Sequence, residues 1–199
     1  MKHLATLLIA LLITTSGLAQ SYKTEITKEA ETYYKHMENK NFDGVFDYMY
    51  PKVFDFAPRD QMKMAMDQMF NSKEMKIEFI SNEVQSVSDK KEVDDITYAA
   101  VFYNSKMKMT FVSEQDKPED DKASFLGFMK GTMESQFGEG NVTSDVKDMS
   151  LVINMDANMF AINDPKYDGW KFIGNDDSMT QITNSIVPEA VRTELLKEK

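Results

Sequence analysis

Apolar positions recur with a helical period through the first third of the chain and with a strand period after it. Apolar residues spaced three and four positions apart predict three helices, at 24–38, 41–51 and 58–71. Asn41 is placed to cap the second helix and Pro51 to end it, and Pro58 fits the first turn of the third. Phe54-Asp55-Phe56 between them is predicted to be a short extended link.

From residue 75 the apolar positions alternate with polar ones, which is typical of strands. The predicted strands cover residues 75–88, 93–104, 142–162 (with a break near Asp156) and 170–173, and the first turn is expected at 89–91. The first strand alternates imperfectly, with Ile77 and Phe79 on one face against Ile80 and Val84 on the other, so a β-bulge is expected there.

Methionines and Phe111 alternate with polar residues over 106–111, a pattern that predicts a sheet with one apolar and one charged face. A helix with an acidic first turn is predicted from Pro118 to Phe137, and two short helices at 177–186 and 188–197 close the chain. The predicted fold is α+β: N-terminal helices packed on a curved, mostly antiparallel sheet, with an inserted helix and short C-terminal helices.

The first 19 residues are predicted to be a cleavable signal peptide. A basic start is followed by an apolar run from Leu4 to Thr15, and the small residues Gly17 and Ala19 precede the expected cut before Gln20. We therefore expect a secreted or periplasmic protein with a single domain over 20–199. No other apolar run is long enough to span a bilayer, so the cleaved chain is not expected to cross a membrane.

Composition excludes several classes of chemistry. The chain has no cysteine and only two histidines, of which His3 lies in the predicted signal peptide. Thiol nucleophiles, iron–sulfur clusters and His-rich metal sites are therefore excluded, and no cofactor is expected. The net charge of −10 argues against nucleic acid as a partner, because that affinity depends on Lys and Arg contacts to phosphate.

The order of elements resembles the NTF2-like superfamily of cone-shaped α+β domains over roughly residues 24–175. The resemblance is carried by the first three helices, the Tyr50-Pro51-Lys52-Val53-Phe54 step and the closing Asp168-Gly169-Trp170-Lys171-Phe172 hairpin. It implies helices packed into a curved sheet, and a homodimer paired through the open sheet face. Members include isomerases and lyases that use Tyr, His or carboxylates, and also non-catalytic binding domains, so the resemblance leaves function open.

Four residues are candidates for catalysis. His36 has a side chain that titrates near neutrality, and Tyr33 lies one helical turn from it. Asp55 or Asp95 could act as a base if buried, because an apolar setting raises the pKa of a carboxyl group. The alternative is that His36 faces solvent and that the aromatic residues belong to the core.

The methionines admit three interpretations. Sixteen occur in the chain, and some form M-x-M pairs. Thioethers are ligands for Cu(I), which makes metal-site candidates of Met62, Met64, Met66, Met107 and Met109. Methionine also builds adaptable binding surfaces, which predicts an apolar ligand pocket from Tyr98, Phe102, Met66 and Met69. Ordinary core packing is the third interpretation.

The first functional hypothesis is therefore a non-enzymatic, exported domain that binds a small apolar ligand or a partner protein. The second is an NTF2-like isomerase or lyase that uses Tyr and carboxylate groups. Binding of Cu(I) through methionine pairs is the third.

Overall fold

The computed structural model describes residues 21–197, so the predicted signal peptide at 1–19 and its cleavage site lie outside the described residues. The helices are α1 at 21–38, α2 at Phe42–Tyr48, α3 at Arg59–Phe70, α4 at Glu119–Phe137, α5 at Thr180–Ile186 and α6 at Glu189–Leu195. Two 3₁₀ helices cover Pro51–Asp55 and Val112–Glu114. Asn41 caps α2 as predicted, since its Oδ1 accepts a hydrogen bond from the backbone N–H of Gly44 at 3.2 Å.

One antiparallel sheet carries the strands β1 at Met75–Val87, β2 at Lys91–Val93, β3 at Ile96–Phe111, β4 at Val142–Asp145, β5 at Ser150–Asn163 and β6 at Lys171–Gly174. Strand β3 is central: β1 and β2 pair along one edge, and β5 pairs along the other. Strands β4 and β6 both pair with the far edge of β5. The predicted α+β class, with helices on an antiparallel sheet and an inserted helix α4, is confirmed.

The predicted bulge in β1 is confirmed, but the assignment of faces was only half right. Two register shifts interrupt the pairing with β3, after Phe79 and after Val84. The first shift leaves Ile80 51% exposed, and the pairs that follow put Val84 opposite Tyr103. Each bulge inserts one residue and so reverses the alternation, which returns Val84 to the same face as Phe79.

Three local predictions were wrong. The segment expected to be an extended link is partly the 3₁₀ helix Pro51–Asp55. The first strand is followed not by a turn at 89–91 but by β2, and the tight turn is Asp94-Asp95, with φ of 51° and 62°. The break expected near Asp156 lies instead between β4 and β5, where Met149 has φ of 50°.

The sheet has an inner face, which carries the odd-numbered residues of β3, and an outer face, which carries the even-numbered ones. Along the first half of β3 both faces are covered. Helix α1 packs on the inner face through Ile26 and Ala30, which are both 0% exposed. The C-terminal segment packs on the outer face through Val187, Val191 and Leu195.

The second half of the outer face is polar and faces solvent. Lys106 is exposed there, and the Lys108 ammonium pairs with Asp148 at 2.6 Å. This part of the sheet is the open face through which the resemblance implies pairing, and a homodimer stays a prediction. Among the described residues, no helix is both long and apolar enough to cross a membrane.

A buried carboxylate fixes the hairpin between β5 and β6. Asp164 is 2% exposed, and it accepts hydrogen bonds from the Tyr50 hydroxyl at 2.7 Å and the Lys166 backbone N–H at 3.0 Å. Burial alone would raise the pKa of Asp164, but these two hydrogen bonds and the charges of Lys166 and Lys52 hold it below its usual value. The carboxylate is therefore a structural anchor in its ionised form.

We predict that Tyr50→Phe lowers the free energy of unfolding by about 1.5–3 kcal/mol at pH 7, because a buried charge loses a hydrogen bond. A lowered folded pKa means that the stability contributed by Asp164 is present above its unfolded pKa of about 3.9 and is lost as pH falls through the folded value. The difference between variant and wild type should therefore shrink below about pH 4. Chemical denaturation followed by the fluorescence of Trp170, the only tryptophan, measures it.

Tyr167→Phe removes a hydroxyl from the neighbouring ring, whose centroid lies 5.5 Å from that of Tyr50. It should leave stability nearly unchanged. An equal loss of unfolding free energy in both variants would contradict the role of Asp164 as an ionised anchor for the Tyr50 hydroxyl. A loss in Tyr50→Phe that does not depend on pH would contradict it as well.

Candidate ligand site on the inner face

The inward-facing side chains of β3 change in character along the strand. Ala99 and Val101 lie under α1, and Tyr103 and the buried Ser105 follow. Met107 and Met109 come next, and Phe111 lies under α4, where its ring meets that of Phe125 at 5.0 Å. Small side chains allow close packing of a helix, whereas the middle of this series leaves space above the strand. Two adjoining hollows occupy that space.

The first hollow, the tyrosine cavity, has a volume of about 150 Å³. Its lining comprises Tyr33, Tyr34, Met37, Phe79, Asn82, Tyr103, Ser105, Met155, Met159, Gly174 and Asp176. The rings of Tyr33 and Tyr34 lie 5.3 Å apart in an edge-on arrangement, and those of Tyr34 and Tyr103 lie 5.0 Å apart. Aromatic rings from α1 and β3 therefore form much of its wall.

Most polar groups of the tyrosine cavity already have partners. Ser105 donates to Asn82 Oδ1 at 2.8 Å, and Asn82 Nδ2 donates to Glu38 at 3.1 Å. The Tyr34 hydroxyl donates to the sulfur of Met159 at 3.5 Å. Asp176 lies exposed at the rim, where its Oδ1 accepts from the backbone N–H of Ser178 at 2.9 Å.

The three tyrosines keep their protons. Burial is the main cause that raises the pKa of Tyr33, Tyr34 and Tyr103 above the usual value of a phenol. The nearby Asp176 carboxylate raises the pKa of Tyr33 and Tyr103 further. Neutral phenols with intact π faces are therefore the form present at physiological pH.

The second hollow, the methionine groove, has a volume of about 340 Å³. Its lining comprises Met69, Phe70, Ile77, Phe79, Met107, Met109, Met133, Gln136, Phe137 and Ile153. Strands β1, β3 and β5 form the floor, and the ends of α3 and α4 form the walls. Gln136 supplies the only polar side chain of this lining, and Phe79 belongs to both hollows.

The groove exists because α3 and α4 pack on different partners. Helix α3 lies against α2, with Phe70 in a cluster that includes Phe42 and Phe46. Helix α4 lies on β4 and β5 through Leu126, which is 1% exposed. The strip of sheet between the two helices stays open, and Met69 at its edge is 44% exposed.

The structure separates the residues predicted to form a ligand pocket. Met69 lines the methionine groove, and Met66 packs against the neighbouring core cluster of Phe42 and Phe70. Tyr98 and Phe102 are buried on the outer face, in the cluster with the C-terminal helices. Both faces of β3 are apolar at this level, so the alternation alone did not indicate which face carries a pocket.

The metal-site candidates do not all share one surface. Met62 and Met66 lie one turn apart on α3 and pack toward the core, whereas Met64 is 56% exposed. Met107 and Met109 face the groove from β3. Among the described residues, no group of His, Cys, Asp and Glu side chains could hold a metal ion.

The catalytic candidates lie at different places. Tyr33 lines the tyrosine cavity. Asp55 is exposed at the end of the 3₁₀ helix, and Asp95 is exposed in the turn before β3. Asp176, the carboxylate that does border the cavity, was not among the candidates, since nothing in the pattern around it distinguishes it from a solvated loop residue.

His36 has a packing role at the junction of α1 and α2. Its Nδ1 lies 3.0 Å from the Asn41 side-chain nitrogen, and its ring lies 5.9 Å from that of Tyr48. Gly44 touches the ring so closely that a Cβ on Gly44 would lie 2.5 Å from Nδ1. The side chain of His36 is therefore half-buried against α2, and it belongs to the lining of neither hollow.

We predict that Gly44→Ala lowers the free energy of unfolding by about 1–3 kcal/mol, because the added methyl overlaps the His36 ring. In a His36→Ala background the same change should instead stabilise the protein by about 0.5–1 kcal/mol, since alanine is the better helix former. Urea denaturation of the four proteins measures the reversal of sign. If Gly44→Ala changes the free energy of unfolding equally in both backgrounds, contact with the His36 ring is not what prevents a larger residue at position 44.

No protein-family model matches the chain, and neither the curated proteins nor the solved structures give a match. The NTF2-like resemblance therefore stays a prediction.

Proposed function

We propose that this protein is an exported, non-enzymatic domain that binds a small apolar ligand in the methionine groove. The observation that carries the proposal is the lining: nine of the ten side chains around about 340 Å³ are apolar. This volume lies at the lower end of the range for small-molecule sites, about 300–1,000 Å³, and such sites are mostly apolar with few polar groups.

The flexibility of methionine supports a binding role. Met69, Met107, Met109 and Met133 line the groove, and unbranched thioether side chains adapt to ligands of different shape. Contiguous apolar surface that reaches solvent often marks an interaction site, and Met69 at the edge of the groove is 44% exposed. Export is part of the proposal and rests on the predicted signal peptide.

The lining of the tyrosine cavity favours binding over isomerase or lyase chemistry. A carboxylate that serves as the general base of such an enzyme is typically held in a water-poor cavity, where burial tunes its pKa. The one carboxylate in the lining, Asp176, is exposed and is held by the loop that follows β6. Asp55 and Asp95 lie outside the lining.

The groove is tested with N-phenyl-1-naphthylamine, a neutral apolar dye that fluoresces when it enters an apolar site. We predict saturable binding, weakened in Met109→Gln by about 1–2 kcal/mol, or roughly five- to thirtyfold, because a similar-sized amide replaces part of the apolar floor.

Met64→Gln is the matched control, because it makes the same change on the exposed side of α3. The control should bind the dye as the wild type does, and the fluorescence of Trp170 should show that both variants are folded. If both variants bind the dye equally less tightly than the wild type, or if Met109→Gln binds it as tightly, the dye binds outside the methionine groove.

A further inference from the structure

Aromatic rings make up a large part of the lining of the tyrosine cavity. Four rings line it, those of Tyr33, Tyr34, Phe79 and Tyr103. Its Ser105 and Asn82 side chains bond to each other, and Asn82 bonds onward to Glu38. A ligand group that enters the cavity therefore meets aromatic rings and thioethers, together with the hydroxyls of the tyrosines.

The only charged side chain in the lining of the cavity is negative. Asp176 is the only charged residue in the lining, and Glu38 is the charged partner of Asn82 behind it. No Lys, Arg or His belongs to the lining. The chain as a whole carries a net charge of −10. An anionic group would enter against this field and find no counter-ion in the lining, whereas a cation would be attracted.

Aromatic rings beside a carboxylate are the chemistry that recognises organic cations. The faces of Tyr, Phe and Trp carry partial negative charge and attract ammonium groups, including quaternary ones that cannot donate a hydrogen bond. The tyrosines here stay neutral because burial raises their pKa, so the faces remain available. Thioether sulfurs of Met155 and Met159 add polarisable surface.

Size and position connect this cavity to the groove. A cavity of about 150 Å³ accepts a group roughly the size of benzene, which is also the size class of a trimethylammonium head. Phe79 borders both hollows. On β3, Tyr103 and Met107 are two inward positions apart, or about 13 Å along the strand. One molecule with a short apolar chain can therefore reach both.

We infer that the tyrosine cavity holds an amine or quaternary ammonium head, so that the ligand is a cationic amphiphile whose apolar chain lies in the methionine groove. This inference rests on the proposed function, because the chain of the ligand occupies the same groove. It adds the chemical class of the ligand and a role for Asp176 and the three tyrosines.

The test compares three probes that share a ten-carbon chain and differ in the head: decyltrimethylammonium, 1-decanol and decanoate. The two ionic probes are used below their critical micelle concentrations and 1-decanol below its solubility limit. Displacement of N-phenyl-1-naphthylamine gives the three affinities. We predict that decyltrimethylammonium binds about tenfold more tightly than 1-decanol, a gain typical of a desolvated cation–π site, and that decanoate binds most weakly.

A pair of neighbouring variants separates the cavity from the general charge of the protein. Asp176→Asn and Asp177→Asn remove the same charge from adjacent exposed residues, but only Asp176 lines the cavity. Asp176→Asn should weaken the binding of decyltrimethylammonium about two- to fivefold and leave the affinity for 1-decanol unchanged. Asp177→Asn should change neither probe. Equal weakening by both variants would overturn the inference.

The aromatic wall is tested with Tyr103→Leu, which should remove most of the preference for the cation, and Tyr103→Phe, which should retain it. If Tyr103→Leu does not fold, the two aspartate variants still decide. Equal affinity for decyltrimethylammonium and 1-decanol, or tightest binding of decanoate, overturns the inference and leaves the apolar groove intact. Failure of the dye and of all three probes to bind overturns the proposed function as well.

Discussion

The pairing of β3 along both of its edges is the constraint on which the rest of the molecule depends. Strands β1 and β5 hold it over nearly its whole length, so its alternating side chains are fixed to an inner and an outer face. Helices α1, α4 and α6 pack on faces of the sheet that this register defines. A slip by one residue would exchange the methionines of 107 and 109 for the lysines of 106 and 108.

The ligand site follows from that fixed register and from how the helices cover it. Ala99 and Val101 allow α1 to lie close to the sheet, and Phe111 anchors the layer under α4. Between them, Tyr103 to Met109 face a strip that the ends of α3 and α4 border without closing. The same strip is polar and aromatic at one end and apolar at the other, which is the pattern that an amphiphilic ligand would match.

The sequence predicted the elements better than their arrangement. The helices, the inserted α4 and the one-sided pattern at Lys106 to Phe111 were all read from periodicity, because each is set by local spacing. The bulge in β1 was expected, yet its effect on Val84 required the register with β3. Tyr98 and Phe102, which were predicted to line a pocket, lie on the outer face instead, and the pattern could not show this because both faces of β3 are covered at that level. Asp176 reaches the cavity only because of the path of the loop after β6.

The most direct test uses the fifteen methionines that follow the predicted cleavage site as reporters, with ¹³C-methyl labels assigned by NMR. Addition of decyltrimethylammonium should shift the methyls of Met69, Met107 and Met109 in the groove and of Met155 and Met159 in the cavity. The methyl of exposed Met64 should not move. Shifts at Met64 with none at the groove, or no saturable shift anywhere, would contradict the claim that the inner face of the sheet is a ligand site.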